Sequence, residues 1–192
     1  MQKLTLEDTW NLLEYEKIRS GFLQRIIAAQ KIRRVAVGDY VTLVFDNRDT
    51  VLFQVQEMIR IERMVDEAQI AQEIEVYNPH IPDGDELSAT LFVEAQDRPM
   101  LQALLRHLVG LDQHLRLNFG DQFAIPACFE PGRWQEDRIS PMQFIRFPFT
   151  VDQRKAFRNG GEPVSLVIDH PHYHATATLS AETRASLARD FD

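Results

Sequence analysis

The sequence predicts an α+β fold in one domain spanning residues 1–192, with N-terminal helices packed on a largely antiparallel sheet. Three observations carry that expectation. Residues 1–80 read as mainly helical with one strand, whereas residues 81–192 read as mainly strands. Helices followed by neighbouring strands favour antiparallel pairing over βαβ crossovers. A chain of 192 residues can bury about 70% of its unfolded surface in a single core, with no need of disulfide or metal staples.

The first segment opens with Thr5-Leu6-Glu7-Asp8, an N-cap followed by an acidic first turn. Leu6, Trp10, Leu13 and Ile18 supply its apolar positions, and Ser20-Gly21 is expected to break it. A second helix then runs over Phe22, Leu23, Ile26, Ile27 and Ala28 to about Arg33. Lys31, Arg33 and Arg34 read as its solvated basic end.

Residues 37–63 are the densest stretch, combining apolar content with chargeable groups. Val41, Leu43 and Phe45 alternate with Thr42, Val44 and Asp46, which is strand spacing. Asp46-Asn47-Arg48-Asp49-Thr50 supplies a turn, with Asp49 or Thr50 as the helix cap. At 100° per residue, Val51, Leu52, Val55, Met58, Ile59 and Val65 form one apolar face. Thr50, Gln54, Gln56, Glu57, Arg60 and Arg63 fall opposite. Glu62 projects into the apolar stripe, where a carboxylate needs a cation, and Arg48 is its expected partner. If the helix ends near Met64, Glu62 instead reaches solvent.

Asp66 with Gln69 caps a further helix that places Ile70, Ile74 and Tyr77 on one face, and Asn78-Pro79 ends it. After the turn Pro82-Asp83-Gly84-Asp85, strands are expected at 86–94, 115–119, 122–129, 142–149, 164–169 and 172–179. Gly120-Asp121 reads as a hairpin turn. Helices interrupt at 99–109, with Leu101, Leu104, Leu105 and Leu108 inward, at 151–158, and after Ser180. The polar loop at 130–141 carries Trp134 and reads as a surface loop or lid.

Composition narrows the classes of function. A formal charge of −8 argues against nucleic acid and anionic membrane as main partners. The single cysteine, Cys128, excludes an internal disulfide framework and any CxxC metal knuckle. In FAIPACF it reads as a small buried hydrophobe. No basic-then-apolar leader opens the chain and no apolar run approaches the ~20 residues that span a bilayer, so a cytoplasmic location without membrane contact is expected. No phosphate loop, nucleophile elbow, HExxH or helical ExxH is present. His80, His107 and His114 stand alone in the sequence.

Two histidine readings remain. His172 and His174 would share a strand face about 6.6 Å apart and could ligate a metal. Thr176 and Thr178 continue that face, however, which favours a solvent-facing hairpin, so no metal and no cofactor are expected. Asp169 beside His170 has the form of a carboxylate that orients a general base. The bland alternative is an Asx-type turn.

Several pieces together carry a resemblance: LEYEKIR at 13–19, VGDYVTLVFDNRDTVLFQVQEMIRIER at 37–63, ELSATLFVE at 86–94, QFIRFP at 143–148 and LVIDHPHY at 166–173. They span almost the whole chain and resemble the bacterial family known as domain of unknown function 3501. The family pattern includes the NRDT corner and DHP, here Asn47 to Thr50 and Asp169 to Pro171. His174 departs from it, since Arg is more usual there. The resemblance brings no established activity. It implies a context beside rubrerythrin and an iron–sulfur oxidoreductase, and hence an accessory role in iron-based redox or peroxide chemistry.

Two functions of different class follow. One is a non-enzymatic accessory protein that docks to an iron redox partner. The other is a binder of a small anionic ligand, or an enzyme, with a pocket between the helix starting near Asp49 and the Asp169-His170 turn. Arg48, Asp49, Glu57, Arg60, Glu62, Asp169 and His170 would line that pocket. Convergence of Arg48, Glu57, Glu62 and His170 on one concavity favours the second; scatter, or consumption in mutual ion pairs, favours the first.

Overall fold

The computed structural model describes residues 1–120, 122–132 and 137–192. Asp121 of the expected hairpin turn and Trp134 of the expected lid lie outside the described residues. The fold is α+β, with two antiparallel sheets where the sequence predicted one. Strands β1 (Arg34–Val37), β2 (Val41–Asp46), β3 (Glu86–Val93), β7 (Met142–Pro148) and β6 (Cys128–Phe129) form the first sheet, in the order β1-β2-β3-β7-β6. Strands β5 (Phe123–Pro126), β4 (Leu115–Phe119), β8 (Val164–His170) and β9 (Tyr173–Thr178) form the second, in the order β5-β4-β8-β9.

The expected strand at 122–129 is split in two because it serves both sheets. It leaves β4 after Pro126 and pairs with β7 from Cys128 onward. Ile125 and Ala127 are turned inward, and this period-2 alternation places Cys128 outward. Cys128 is therefore exposed, not buried. The inner faces of the two sheets share one apolar core, to which Leu43, Phe45, Leu87, Leu117, Phe147 and Leu166 belong. At the open edge β1 lies against β9. There the Tyr173 hydroxyl donates to Val37 O at 2.6 Å and accepts from Tyr40 N–H at 3.1 Å.

That stitch depends on Gly38, whose φ of +73° belongs to the left-handed region. A Cβ there would land on the Tyr173 hydroxyl and 2.9 Å from Ala175 Cβ. Gly38→Ala is therefore expected to cost at least about 2 kcal/mol, read as a lower urea midpoint. Gly21 is the opposite case. The expected break at Ser20-Gly21 does not occur, and α1 (Leu12–Arg33) runs through it as one helix of 22 residues. A Cβ on Gly21 meets nothing within 4 Å, so Gly21→Ala should raise stability by up to about 1 kcal/mol.

α1 is continuous because tertiary packing outweighs one glycine. Tyr15, Phe22, Ile26 and Arg33 are its buried residues, at spacings that return to one stripe. The apolar positions expected at Leu13 and Ile18 face out instead. Helix α2 (Arg48–Glu62) lies beside α1, and α3 (Glu67–Tyr77) beside α2. A second core of Leu4, Tyr15, Phe22, Val55, Ile59 and Ile74 unites this helical layer, and α1 also lies beside β2. Every residue of β2 is buried. Asp66 caps α3 by accepting from the N–H groups of Ala68 and Gln69.

Arg33 corrects the reading of a solvated basic end. It is 1% exposed and pairs with Asp190, itself 1% exposed. Its guanidinium also donates to Phe45 O at 2.9 Å and Asp46 O at 2.8 Å. A helix end, the last residues of β2 and the chain's C-terminal turn thus meet on one cation. The remaining helices, α4 (Arg98–His107), α5 (Val151–Asn159) and α6 (Ala181–Ala188), lie where the sequence places them. Leu105 and Leu108 are the buried members of the four leucines expected to face inward from α4.

Candidate functional site

The residues expected to form a pocket are not brought to one place. Asn47, not Asp49 or Thr50, caps α2: its side chain accepts from Thr50 N–H, and the Thr50 hydroxyl accepts in return from Asn47 N–H. Arg48 pairs with Asp8 at 2.5 Å and donates to Gln2 O at 3.1 Å, so it secures the N-terminal segment. A shallow cavity beside it is lined by Met1, Gln2, Asp8, Asn47, Arg48 and Asp49. Neither Asp169 nor His170 reaches that cavity.

Glu57 and Arg60 lie further along α2 and turn toward α1. Arg19 holds Glu57 through both carboxylate oxygens at 2.8 Å each, the Tyr15 hydroxyl donates at 2.8 Å, and Arg60 Nη2 donates at 3.1 Å. The Arg19 guanidinium leads in holding the Glu57 carboxyl down at about 2, against the opposing effect of its burial. Burial and the Glu57 carboxylate push the Tyr15 phenol well up. Glu62 is exposed and does not pair with Arg48 in the apolar stripe, the outcome expected where the helix ends near Met64. The helix ends on Glu62, and Arg63 adopts a left-handed cap at φ 52°. Thr50 and Gln56, expected on the polar face, are buried. Gln56 exchanges two hydrogen bonds with the Trp10 backbone, at 2.8 and 3.0 Å.

At the β8–β9 turn, strand alternation separates Asp169 from His170. Asp169 points out to His174 at 2.9 Å, whereas His170 points in and is buried. His170 Nε2 lies 2.9 Å from Val109 O, and Nδ1 accepts from His172 N–H at 3.2 Å. With a carbonyl at Nε2 and an N–H at Nδ1, the ring donates from Nε2 and ties the β8–β9 turn to the segment after α4. His172 lies in the turn before β9, not on a strand face with His174. Its ring centre is 5.6 Å from that of His107 and 5.7 Å from that of His170. Among the described residues no group of three or more His, Cys, Asp or Glu could hold a metal ion.

Two features escaped the sequence reading. The first is a row across the outer face of the first sheet. Register pairs Asp46 with Ser88, Ser88 with Arg146, and Arg146 with Cys128. Four polar or ionisable side chains thus stand in line across four strands, at steps of about 4.8 Å. Burial pushes the Asp46 carboxyl up to about 6, although Thr90, Thr50 and Gln54 all donate to it. The Ser88–Arg146–Cys128 end of the row opens into a cleft of about 320 Å³ whose wall also includes His80, Glu86 and Phe144. His80 stacks on Phe144 with ring centres 3.8 Å apart. Burial also raises the Glu86 carboxyl. No motif marks these residues, because they meet only through register.

The second feature is the outer surface of the helical layer. Leu13, Ile27, Ile61, Val65 and Val76 are 79, 56, 60, 82 and 64% exposed. The step of fourteen positions from Leu13 to Ile27 is close to four helical turns, so the two lie within about 40° of each other and about 21 Å apart. Lys17, Gln24 and Lys31 fall on the same outward stripe, opposite the buried one.

These observations define a two-sheet α+β protein with a separate helical layer, in which the residues expected to share one pocket lie apart. The chain belongs to the family described as protein of unknown function DUF3501, whose model matches residues 3–191. It is similar throughout to a crystal structure of a novel protein of unknown function from Burkholderia pseudomallei K96243. The two are 32% identical, with a TM-score of 0.92 and full coverage of both chains. No curated protein matches. No helix among the described residues is long and apolar enough to cross a membrane.

Proposed function

We propose that this protein is a non-enzymatic accessory protein that docks through its helical layer onto another protein. The family resemblance makes an iron-based redox protein, rubrerythrin or an iron–sulfur oxidoreductase, the partner to test. The observation that carries the reading is the stripe of α1 on which Leu13 and Ile27 stand out among lysines. A partner laid along α1 would cover both side chains, with the lysines between and beyond them left to pair with its acidic groups. The fate of the charged residues supports it too. Arg48, Glu57 and Arg60 are occupied in ion pairs that hold α1, α2 and the N-terminal segment together, and Glu62 faces solvent.

Anaerobic co-elution of the purified protein with a purified rubrerythrin or iron–sulfur oxidoreductase tests this. The wild type is expected to form a stoichiometric complex, and Leu13→Asp with Ile27→Asp should weaken it at least about a hundredfold, at two central apolar contacts. Both positions are exposed, so circular dichroism and Tm should not change. Absence of a complex with either partner, or a complex indifferent to the double substitution, rejects the reading.

A further inference from the structure

We propose that the cleft on the outer face of the first sheet is a binding site for a small zwitterion of the α-amino-acid type, with an apolar side chain. It is separate from the docking surface, which lies on the helices. The argument begins with Glu86. One of its carboxylate oxygens, Oε1, is buried and accepts no hydrogen bond within the described structure. Its nearest cation, Arg146 Nη1, stands 4.0 Å away, beyond hydrogen-bond reach. A buried acceptor left without a donor is destabilising, more so when charged. A ligand ammonium placed against Glu86 would remove that penalty.

Arg146 supplies the other half. Its side chain is about half exposed, and the long pair to Glu86 is its one ion pair among the described residues. A planar fork of this kind suits a carboxylate. Glu86 and Arg146 are separated by little more than the distance between the ammonium nitrogen and carboxylate oxygens of an α-amino acid. Both groups of one zwitterion can thus be met at once, whereas a simple anion would be repelled by Glu86 and a simple amine by Arg146. Beside this charged pair the wall includes Phe129, Phe144, Pro131 and Pro148, with His80 stacked on Phe144, and Glu130 adds a second carboxylate to the lining. That wall calls for an apolar or aromatic side chain. The volume of about 320 Å³ is at the small end of ligand sites.

Cys128 gives the site its own reporter. It is the only cysteine of the chain, it is exposed, and it lines the same cleft opposite Arg146. The probe is L-phenylalanine, with phenethylamine and 3-phenylpropionate as its decarboxylated and deaminated counterparts. The rate of Cys128 alkylation by N-ethylmaleimide is read at about 10 mM of each, a concentration that registers fragment-sized ligands. L-Phenylalanine is expected to slow alkylation at least about threefold, with little effect from either counterpart. Glu86→Gln and Arg146→Ala should each raise the half-protecting concentration about tenfold, which leaves alkylation at about 10 mM close to its ligand-free rate, in proteins that remain folded by circular dichroism. Calorimetric titration of Cys128→Ala, in which the rim is intact but the thiol gone, should still show binding. Protection by 3-phenylpropionate equal to that by L-phenylalanine overturns the role of Glu86 and with it the zwitterion. Lack of protection by all three, together with a flat titration, overturns the site.

Discussion

Replacing Asp190 by alanine is expected to lower the stability of the protein by about 3–5 kcal/mol, because it strands the buried Arg33 guanidinium. Asp190 meets Arg33 through both carboxylate oxygens, and the Ser186 hydroxyl adds a contact to the same guanidinium at 3.3 Å. The remaining donors of Arg33 hold carbonyls at the end of β2. Loss of Asp190 therefore releases the C-terminal turn and leaves a cation with carbonyls but no counter-charge. Burial pushes the Asp190 carboxyl up, against the pull of Arg33. Equilibrium urea unfolding checks the magnitude. The double replacement Arg33→Met with Asp190→Leu removes both charges and should recover most of the loss. If it is as unstable as Asp190→Ala, the buried charge is not the cause.

The second large effect is expected at Glu57. Its carboxyl is held at about 2 against an ordinary 4.5, so the folded state favours the ionised form. The contribution is fully present above about pH 4.5 and is lost as the pH falls through about 2. Glu57→Gln should cost about 2 kcal/mol at pH 7, allowing for solvent at Arg19 and Arg60, whose side chains are 30 and 31% exposed. The difference between wild type and variant in urea midpoint should shrink as the pH is lowered from 5 to about 2. A difference that stays constant with pH would assign the loss to packing against Tyr15 and not to the ion pairs.

Neither pairing was legible in the sequence, and the contrast between α1 and α2 explains why. In α2 the buried and exposed stripes largely follow the 3.6 period, so Val51, Leu52, Val55 and Ile59 were legible as core. In α1 apolar residues occur on both faces, and no local rule says whether Tyr15 or Leu13 goes inward. The neighbour decides: α2 presents Glu57 to the Tyr15 hydroxyl and leaves nothing over Leu13. For Glu62 the sequence left two outcomes open, and the helix end decides between them: its azimuth is apolar, but α2 stops on it and the carboxylate reaches solvent.

Local chemistry determined a good deal by itself. The α+β class, the strands at 86–94, 115–119 and 164–169, the Asp66 cap and the helices α4 to α6 all follow from period, cap and turn residues, which act within a few positions of one another. Only the tertiary structure decided that the strands divide into two sheets, that Arg33 is buried, and that Cys128 faces out beside Arg146. It alone brought Asp46, Ser88, Arg146 and Cys128 into one row across strands far apart in the chain. Strand register sets such neighbours, and register is fixed by which faces must be buried when the sheets close on their common core.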